Sequence, residues 1–141
     1  MTEPRRLSPR LSVSAQVEPG ELPSLAGAGF RSIIGNRPDG EDPGQPTWAE
    51  IAKAATAAGM QARHIPVTPG AIGDEDVARF SAALDELPGP ALAFCRTGGR
   101  AASLWALSKA GTLTPDEIIA TAADAGCDVT QLRDRFTRAI D

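Results

Sequence analysis

The stretch from Cys95 to Arg100 holds the residue types best suited to chemistry in this 141-residue chain. An apolar run at residues 90–94 predicts a buried strand before it, and residues 101–110 have the periodicity of a helix. The stretch should therefore turn from a strand into a helix N-terminus. Such a terminus carries unpaired N–H groups and partial positive charge, which favour anions and the thiolate form of a cysteine. A thiolate beside an arginine suits cysteine-dependent group transfer.

The catalytic candidates are Cys95, as the nucleophile, and Arg100, as the cation that holds the anionic part of a substrate. The glycines of the turn allow positive φ, so that backbone N–H groups are able to point inward. We therefore expect an anion to be bound by the loop and the residue after it, namely Arg96, Thr97, Gly98, Gly99 and Ala101.

Two other loops are expected beside this turn. Residues 35–44 and 68–73 are rich in turn residues, and each follows a predicted strand. Arg37 and Asp39 are candidates to face the site from the first loop, and Asp39 or Glu41 would have to serve as a general acid. His64 is interpreted as a hydrogen-bonded residue at a strand end, and Cys127 as a packing residue.

Strands and helices alternate along the chain, which favours a parallel sheet covered by helices on both faces. We predict one α/β domain over residues 1–141, with a mostly parallel central sheet of about four strands. Residues 1–10 are interpreted as a lead-in, and residues 112–141 as a pair of C-terminal helices.

Strands are predicted at 11–14, an edge strand, and at 30–34, 61–67 and 91–94. Helices are predicted at 47–58, 74–87, 101–110, 115–125 and 129–140. Thr47, Asp74 and Thr114 are the predicted helix caps.

Composition argues against several function classes. The formal net charge is −4, so no large basic field favours nucleic acid or an anionic membrane surface. One histidine and two cysteines without metal-ligand spacing predict neither a metal centre nor a cofactor. No apolar run approaches the roughly 20 residues of a membrane span. We therefore expect a cytoplasmic protein with reduced thiols.

The Cys-x4-Arg loop resembles the active-site loops of two enzyme families. Protein tyrosine phosphatases use a Cys-x5-Arg loop, usually with His before the Cys and Ser or Thr after the Arg. Rhodanese sulfurtransferases use a shorter loop, often Cys-Arg-Ser-Gly-x-Arg-Ser. The loop of this chain has the rhodanese length, and Phe94 and Ala101 replace the phosphatase His and Ser or Thr.

The chain as a whole resembles the phosphatase-like domain of the beta-lactamase-hydrolase-like proteins. The matching segments lie at residues 5–7, 11–14, 29–34, 36–41, 64–67, 94–98 and 100–107. The resemblance implies a protein tyrosine phosphatase-like fold and a cysteine nucleophile. It also implies a sulfur dioxygenase as a candidate partner, because members of this family are sometimes fused to one.

The favoured prediction is a sulfane-sulfur transferase that takes sulfur from a small anionic donor and carries it as a Cys95 persulfide. Loop length and the missing general acid favour this, since thiolate attack on sulfane sulfur needs no strong acid. A phosphatase that acts on a phosphate ester through a cysteinyl-phosphate is the alternative. A non-catalytic module that binds anions or persulfides is the second alternative.

Overall fold

The computed structural model describes residues 3–138, whose backbone forms an α/β fold around one sheet. Within these residues the sheet has five strands: β1 (Arg5–Ser8), β2 (Leu11–Ser14), β3 (Ser32–Gly35), β4 (Gln61–His64) and β5 (Ala91–Phe94). Their order across the sheet is β1-β2-β5-β3-β4. The pairs β2–β5, β5–β3 and β3–β4 are parallel, and β1 runs antiparallel to β2. The central strand, β5, is buried along its whole length and ends at Phe94, directly before Cys95.

Helices cover both faces of the sheet, as the alternating pattern predicts. They are α1 (Leu22–Gly27), α2 (Trp48–Ala57), α3 (Asp74–Glu86), α4 (Gly99–Ser108), α5 (Pro115–Asp124) and α6 (Arg133–Arg138). Short 3-10 turns precede α1 and α6, at Pro19–Glu21 and Thr130–Leu132. Successive strand residues point to opposite faces. Leu92 accordingly packs in the cluster that includes residues of α1 and α2, and Ala93 packs in the cluster that includes residues of α3 to α6.

The capping boxes predicted for α2 and α5 are confirmed. Thr47 accepts a hydrogen bond from the Glu50 backbone N–H, and Thr114 accepts one from that of Glu117. The prediction that Asp74 caps α3 is wrong, because the helix already includes that residue. Gly73 is the N-cap and has no side chain to accept a bond, so the Asp76 side chain accepts from the Gly73 N–H instead.

Several predicted boundaries differ from the structure. The strands predicted at 30–34 and 61–67 are Ser32–Gly35 and Gln61–His64, and the helix predicted at 74–87 ends at Glu86. The lead-in contains strand β1, which places β2 between two strands, so the prediction of a half-exposed edge strand at 11–14 is wrong. Helix α4 begins at Gly99 rather than at residue 101. The last predicted helix begins as a 3-10 turn and continues as α6, and its residues 139 and 140 lie outside the described residues.

The loops after β3, β4 and β5 meet at the carboxyl edge of the sheet, as expected for parallel strands. Arg100 comes after β5, and its guanidinium contacts Glu41 from the loop after β3 and Val67 from the segment after β4. Among residues 3–138, no helix combines the length and the apolar character that a membrane crossing requires.

Candidate active site

Cys95 lies in the turn between β5 and α4, and its thiol group is held by the backbone. The residue is 1% exposed, and its N–H donates to the Ser14 carbonyl at 3.3 Å. The Gly98 N–H donates to Sγ of Cys95 at 3.1 Å. Because Gly98 is the N-cap of α4, this N–H belongs to the positive end of the helix. The arrangement places a backbone donor at the helix N-terminus against the sulfur atom of Cys95.

Gly98 has the left-handed backbone conformation that the turn requires. Its φ is +98°, a value that L-residues with side chains rarely adopt. The carbonyl of Gly98 then accepts from the Ala102 N–H at 3.0 Å, which starts α4 directly after the turn. The helix therefore begins close enough to Cys95 for the N–H of its N-cap residue to contact the thiol.

Arg100 lies in the first turn of α4, and its side chain is 10% exposed. Two guanidinium nitrogens donate to the two oxygens of Glu41 at 2.7 and 2.8 Å, and one also donates to the Val67 carbonyl at 2.9 Å. Burial alone would lower the pKa of Arg100, but Glu41 and the neighbouring Cys95 outweigh it and leave that pKa raised. Arg100 therefore stays cationic beside the cysteine, and its planar fork is fixed in one orientation.

Glu41 is an anion whose position is set from two sides. The hydrogen bonds from Arg100, opposed by burial and helped by Arg37, lower the pKa of Glu41 to about 2. It therefore carries no proton to give near neutral pH, and it is not the general acid that the sequence left open. Its role is to orient Arg100.

Arg37 is a second cation that binds Glu41. The residue is 6% exposed, and a buried cation without partners would be costly. Its guanidinium donates to Glu41, Asp42 and the Gln16 side chain. Arg37 is thus linked to Arg100 through Glu41, to which both guanidinium groups donate.

The remaining acids of this loop also have partners. Asp39 accepts from the Trp48 N–H at 2.8 Å, so it helps to cap α2. Asp42 pairs with Arg37 and, at 3.2 Å, with Arg96, whose side chain is 65% exposed. Both carboxylates are therefore bound by neighbouring groups of the protein. The loop at 68–73 contains no acidic residue.

The other predicted anion-binding residues lie around the turn. Thr97 is exposed, and its Oγ1 accepts from the Gly99 N–H at 3.4 Å. Ala101 is fully buried in α4. Gly98 contacts the thiol through its N–H, whereas the largely exposed Arg96 pairs with Asp42.

His64 and Phe94 belong to an aromatic stack on the α2 side of the sheet. The Trp48 ring lies parallel to that of His64, 4.9 Å between centroids, and next to that of Phe94 at 6.4 Å. His64 Nε2 is 3.1 Å from the Arg37 carbonyl. A carbonyl only accepts, so Nε2 carries the proton. This fits the interpretation of His64 as a hydrogen-bonded residue at a strand end.

Cys127 is buried after α5, and its Sγ lies 3.7 Å from the Ala125 carbonyl. Burial raises the pKa of Cys127, Arg5 opposes that effect, and the charge of Cys95 adds to it. A thiol with a raised pKa is a poor nucleophile near neutral pH. The packing role expected for Cys127 agrees with this environment.

A cavity of about 260 Å³ lies beside Arg100. It is lined by the start of α4, from Gly99 to Ser103, by the 68–73 loop and by residues 128–135. This gives a substrate's non-reacting part a place to lie next to the arginine. The lining residues are Pro69, Gly70, Ile72, Gly99, Arg100, Ser103, Asp128, Gln131, Leu132 and Arg135.

Two residues of the site were not found by sequence reasoning in their actual roles. The sequence offers Glu41 as a general acid and not as the partner of Arg100, although its spacing of four residues from Arg37 indicates an ion pair. Arg5 lies in β1 and donates to the Thr97 carbonyl at 2.9 Å. An arginine in a short polar segment gives no signal of such a contact, which spans 92 positions.

Comparison with known proteins places these features in a wider group. The family model described as beta-lactamase hydrolase-like protein, phosphatase-like domain, matches residues 3–112. A beta-lactamase hydrolase-like protein of Agrobacterium fabrum is 42% identical over 105 residues, which cover 74% of this chain and 24% of that protein. The chain spans about a quarter of the length of the curated relatives it matches.

Solved structures share the fold. A candidate phosphatase from Neisseria meningitidis is 35% identical, covers 96% of each chain, and superposes with a TM-score of 0.87. The active form of the protein Tk-PTP is 18% identical over 97% of this chain and 95% of its own, with a TM-score of 0.71. At that identity the likeness concerns the fold alone.

Proposed function

Since the chain belongs to the family of phosphatase-like domains of beta-lactamase hydrolase-like proteins, we propose that it is a cysteine-dependent phosphatase. Membership confirms the resemblance drawn from the sequence. One observation carries the proposal: the Cys95 thiol accepts from the α4 N-terminus at 3.1 Å, beside an arginine held by Glu41. That combination supplies a nucleophile and a cation for a tetrahedral anion.

The proposed reaction has two displacement steps. The Cys95 thiolate attacks phosphorus, and the bond from phosphorus to the leaving oxygen breaks with its electron pair on that oxygen. Water then attacks the cysteinyl-phosphate, the S–P bond breaks, and the thiolate and inorganic phosphate are released. In both steps Arg100 and the N–H groups of the loop stabilise the charge on the phosphoryl oxygens.

The carboxylates of the loop after β3 restrict the class of substrate that the proposed reaction would accept. Glu41, with a pKa of about 2, carries no proton to give to a basic leaving oxygen near neutral pH. Asp39 and Asp42 both accept hydrogen bonds from the protein. Substrates should therefore be those whose leaving group departs as a stable anion, such as aryl phosphates and phosphoanhydrides. Alkyl phosphates should be poor substrates.

Sulfane-sulfur transfer is the second candidate, favoured by the loop of four residues between Cys95 and Arg100 and by the 68–73 loop, which contains no acidic residue. The thiolate would attack the outer sulfur of thiosulfate, the S–S bond would break, and sulfite would leave with the electron pair. A thiolate or cyanide would then accept the sulfur from the persulfide. The comparisons favour the phosphatase over this reaction.

Parallel assays distinguish the two reactions. One measures hydrolysis of p-nitrophenyl phosphate, and the other measures thiocyanate formed from thiosulfate and cyanide. We expect aryl phosphate turnover that is abolished in Cys95→Ser and retained in the matched control Cys127→Ala. Thiocyanate formation without phosphate release would replace the phosphatase by the sulfurtransferase. Inactivity in both assays would favour the second alternative, a non-catalytic module that binds anions or persulfides. The sulfur dioxygenase partner remains a prediction under all three functions.

A further inference from the structure

Arg5 connects β1 to two loops at the back of the Cys95 turn. Its Nη2 donates to the Thr97 carbonyl at 2.9 Å, and its Nη1 lies 3.5 Å from the Gly126 carbonyl. The second contact fixes the guanidinium against the chain just after α5. Arg5 is thereby held in place on the side of the turn that faces away from Sγ.

The first of these contacts acts on the same peptide group that binds the thiol. The Thr97 carbonyl and the Gly98 N–H belong to one peptide unit, and in a trans peptide they point in opposite directions. With the oxygen held by Arg5, the N–H points to Sγ of Cys95 at 3.1 Å. A cationic donor binds a carbonyl more strongly than a neutral one, and it polarises the peptide so that its N–H is a better donor.

The close approach of Arg5 also explains why residue 98 is a glycine. A Cβ atom on Gly98 would lie 2.5 Å from Nη2 of Arg5 and 3.3 Å from the backbone of Ser14. Such a side chain would push the guanidinium away from the Thr97 carbonyl. The left-handed turn and the position of Arg5 therefore require the same residue type.

We propose that Arg5 is a positioning residue for the Cys95 nucleophile. Its guanidinium sets the orientation of the Thr97–Gly98 peptide, so that the Gly98 N–H stabilises the thiolate and later the phosphoryl oxygens. The inference rests on the proposed function in one respect, namely that Cys95 reacts as a thiolate.

The test compares Arg5→Met and Arg5→Lys with the matched control Arg6→Met. Arg6 is an exposed neighbour in β1, and its Nε donates to the Ser8 carbonyl at 3.4 Å. The measurement is the rate at which iodoacetamide alkylates Cys95 at pH 7, followed by mass spectrometry of the peptide that contains it. We expect Arg5→Met to slow alkylation about tenfold, Arg5→Lys to recover part of the rate, and Arg6→Met to match the wild type.

The direction of the change separates positioning from a purely structural role. Cys95 is 1% exposed, so a turn that merely loosened would expose Sγ and speed up alkylation. An unchanged or faster rate in Arg5→Met overturns the proposal, and so does a wild-type Cys95 that resists alkylation. If Arg5→Met does not fold, Arg5→Gln takes its place, because it retains an uncharged donor and should also react more slowly.

Alkylation needs no turnover, which keeps this inference distinct from the proposed function. A wild type that hydrolyses no phosphate ester but shows the Arg5 dependence would contradict the phosphatase alone. A wild type that hydrolyses aryl phosphate with equal kcat and KM in Arg5→Met would contradict the role of Arg5 alone.

Discussion

Three side chains divide the work of the proposed reaction. Cys95 forms the covalent bond, Arg100 faces the anionic group, and Glu41 keeps Arg100 in a single orientation through two hydrogen bonds. The low pKa of Glu41, about 2, means that this clamp is charged throughout the neutral range. A positioned cation stabilises a transition state better than a mobile one, because no reorganisation is needed during the reaction.

Glu41→Gln tests this clamp. An amide retains the shape but carries no charge, and it replaces one acceptor oxygen with a donor. We expect kcat/KM for p-nitrophenyl phosphate to fall about 10- to 100-fold. Glu86→Gln is the control, since Glu86 is 58% exposed and pairs with Arg63 at 3.3 Å, and it should have wild-type activity. Equal activity of both variants would show that Arg100 needs no clamp.

At this scale the sequence identified Cys95 and Arg100 as the residues to place together, but it could not assign roles to the acids. Asp39, Glu41 and Asp42 are equally plausible acids in a turn-rich loop. Their partners decide their roles, and one of those partners, Arg100, lies 59 positions away from Glu41. Only the fold determines which acid meets which cation.

At the scale of elements, strand β5, the Cys95 turn and helix α4 form the unit that presents the nucleophile. The apolar run and the helical periodicity were sufficient to predict both elements. The helix begins two residues earlier than predicted because Gly98 adopts positive φ and its carbonyl bonds to Ala102. The sequence does not reveal this start, because a glycine is compatible with a helix cap, a turn or a close contact.

Substituting alanine at the two glycines of the turn tests their separate roles. Gly98→Ala combines positive φ with a Cβ atom 2.5 Å from Arg5, so we expect a loss of about 1–3 kcal/mol in unfolding free energy. At Gly99 a Cβ would meet Oγ1 of Thr97 at an ordinary 3.6 Å, so Gly99→Ala should stay within about 0.5 kcal/mol of the wild type. Urea unfolding measures both, and equal losses would refute the assigned geometry.

On the scale of the whole molecule, the site joins segments from distant parts of the chain. The network of Arg37, Glu41 and Arg100 links the loops after β3 and β5, and the Val67 carbonyl ties in the segment after β4. The site therefore depends on the whole sheet being formed. Stability and the charge state of Glu41 should then be linked.

Acid unfolding tests that link. The pKa of Glu41 is lowered from 4.5 to about 2 in the folded chain, so the unfolded chain binds the proton more readily. The stabilising effect is complete above pH about 4.5 and is lost as the pH falls toward 2, an effect on the order of 2–3 kcal/mol. Urea unfolding at pH 7, 4.5 and 3 should show a smaller loss on acidification in Glu41→Gln than in the wild type. The same loss in both would place Glu41 outside the linkage.

The α/β fold, the parallel core of the sheet and the family were predictable from alternation and from the matching segments. Strand β1 was not, because four residues in a polar segment carry too little pattern to reveal an antiparallel partner. The choice between sulfur and phosphorus was also not settled by residue types. Thiosulfate and a phosphate ester are both tetrahedral anions, and one loop of N–H groups suits either.

The central claim is that Cys95 carries a phosphoryl group during turnover. The most direct measurement is mass spectrometry of the chain after acid quenching during hydrolysis of p-nitrophenyl phosphate. The account predicts one phosphoryl group on the peptide that contains Cys95, absent from Cys95→Ser and still present in Cys127→Ala. Turnover with the phosphoryl group on another residue would contradict it, as would a Cys95 that gains sulfur from thiosulfate but never phosphate.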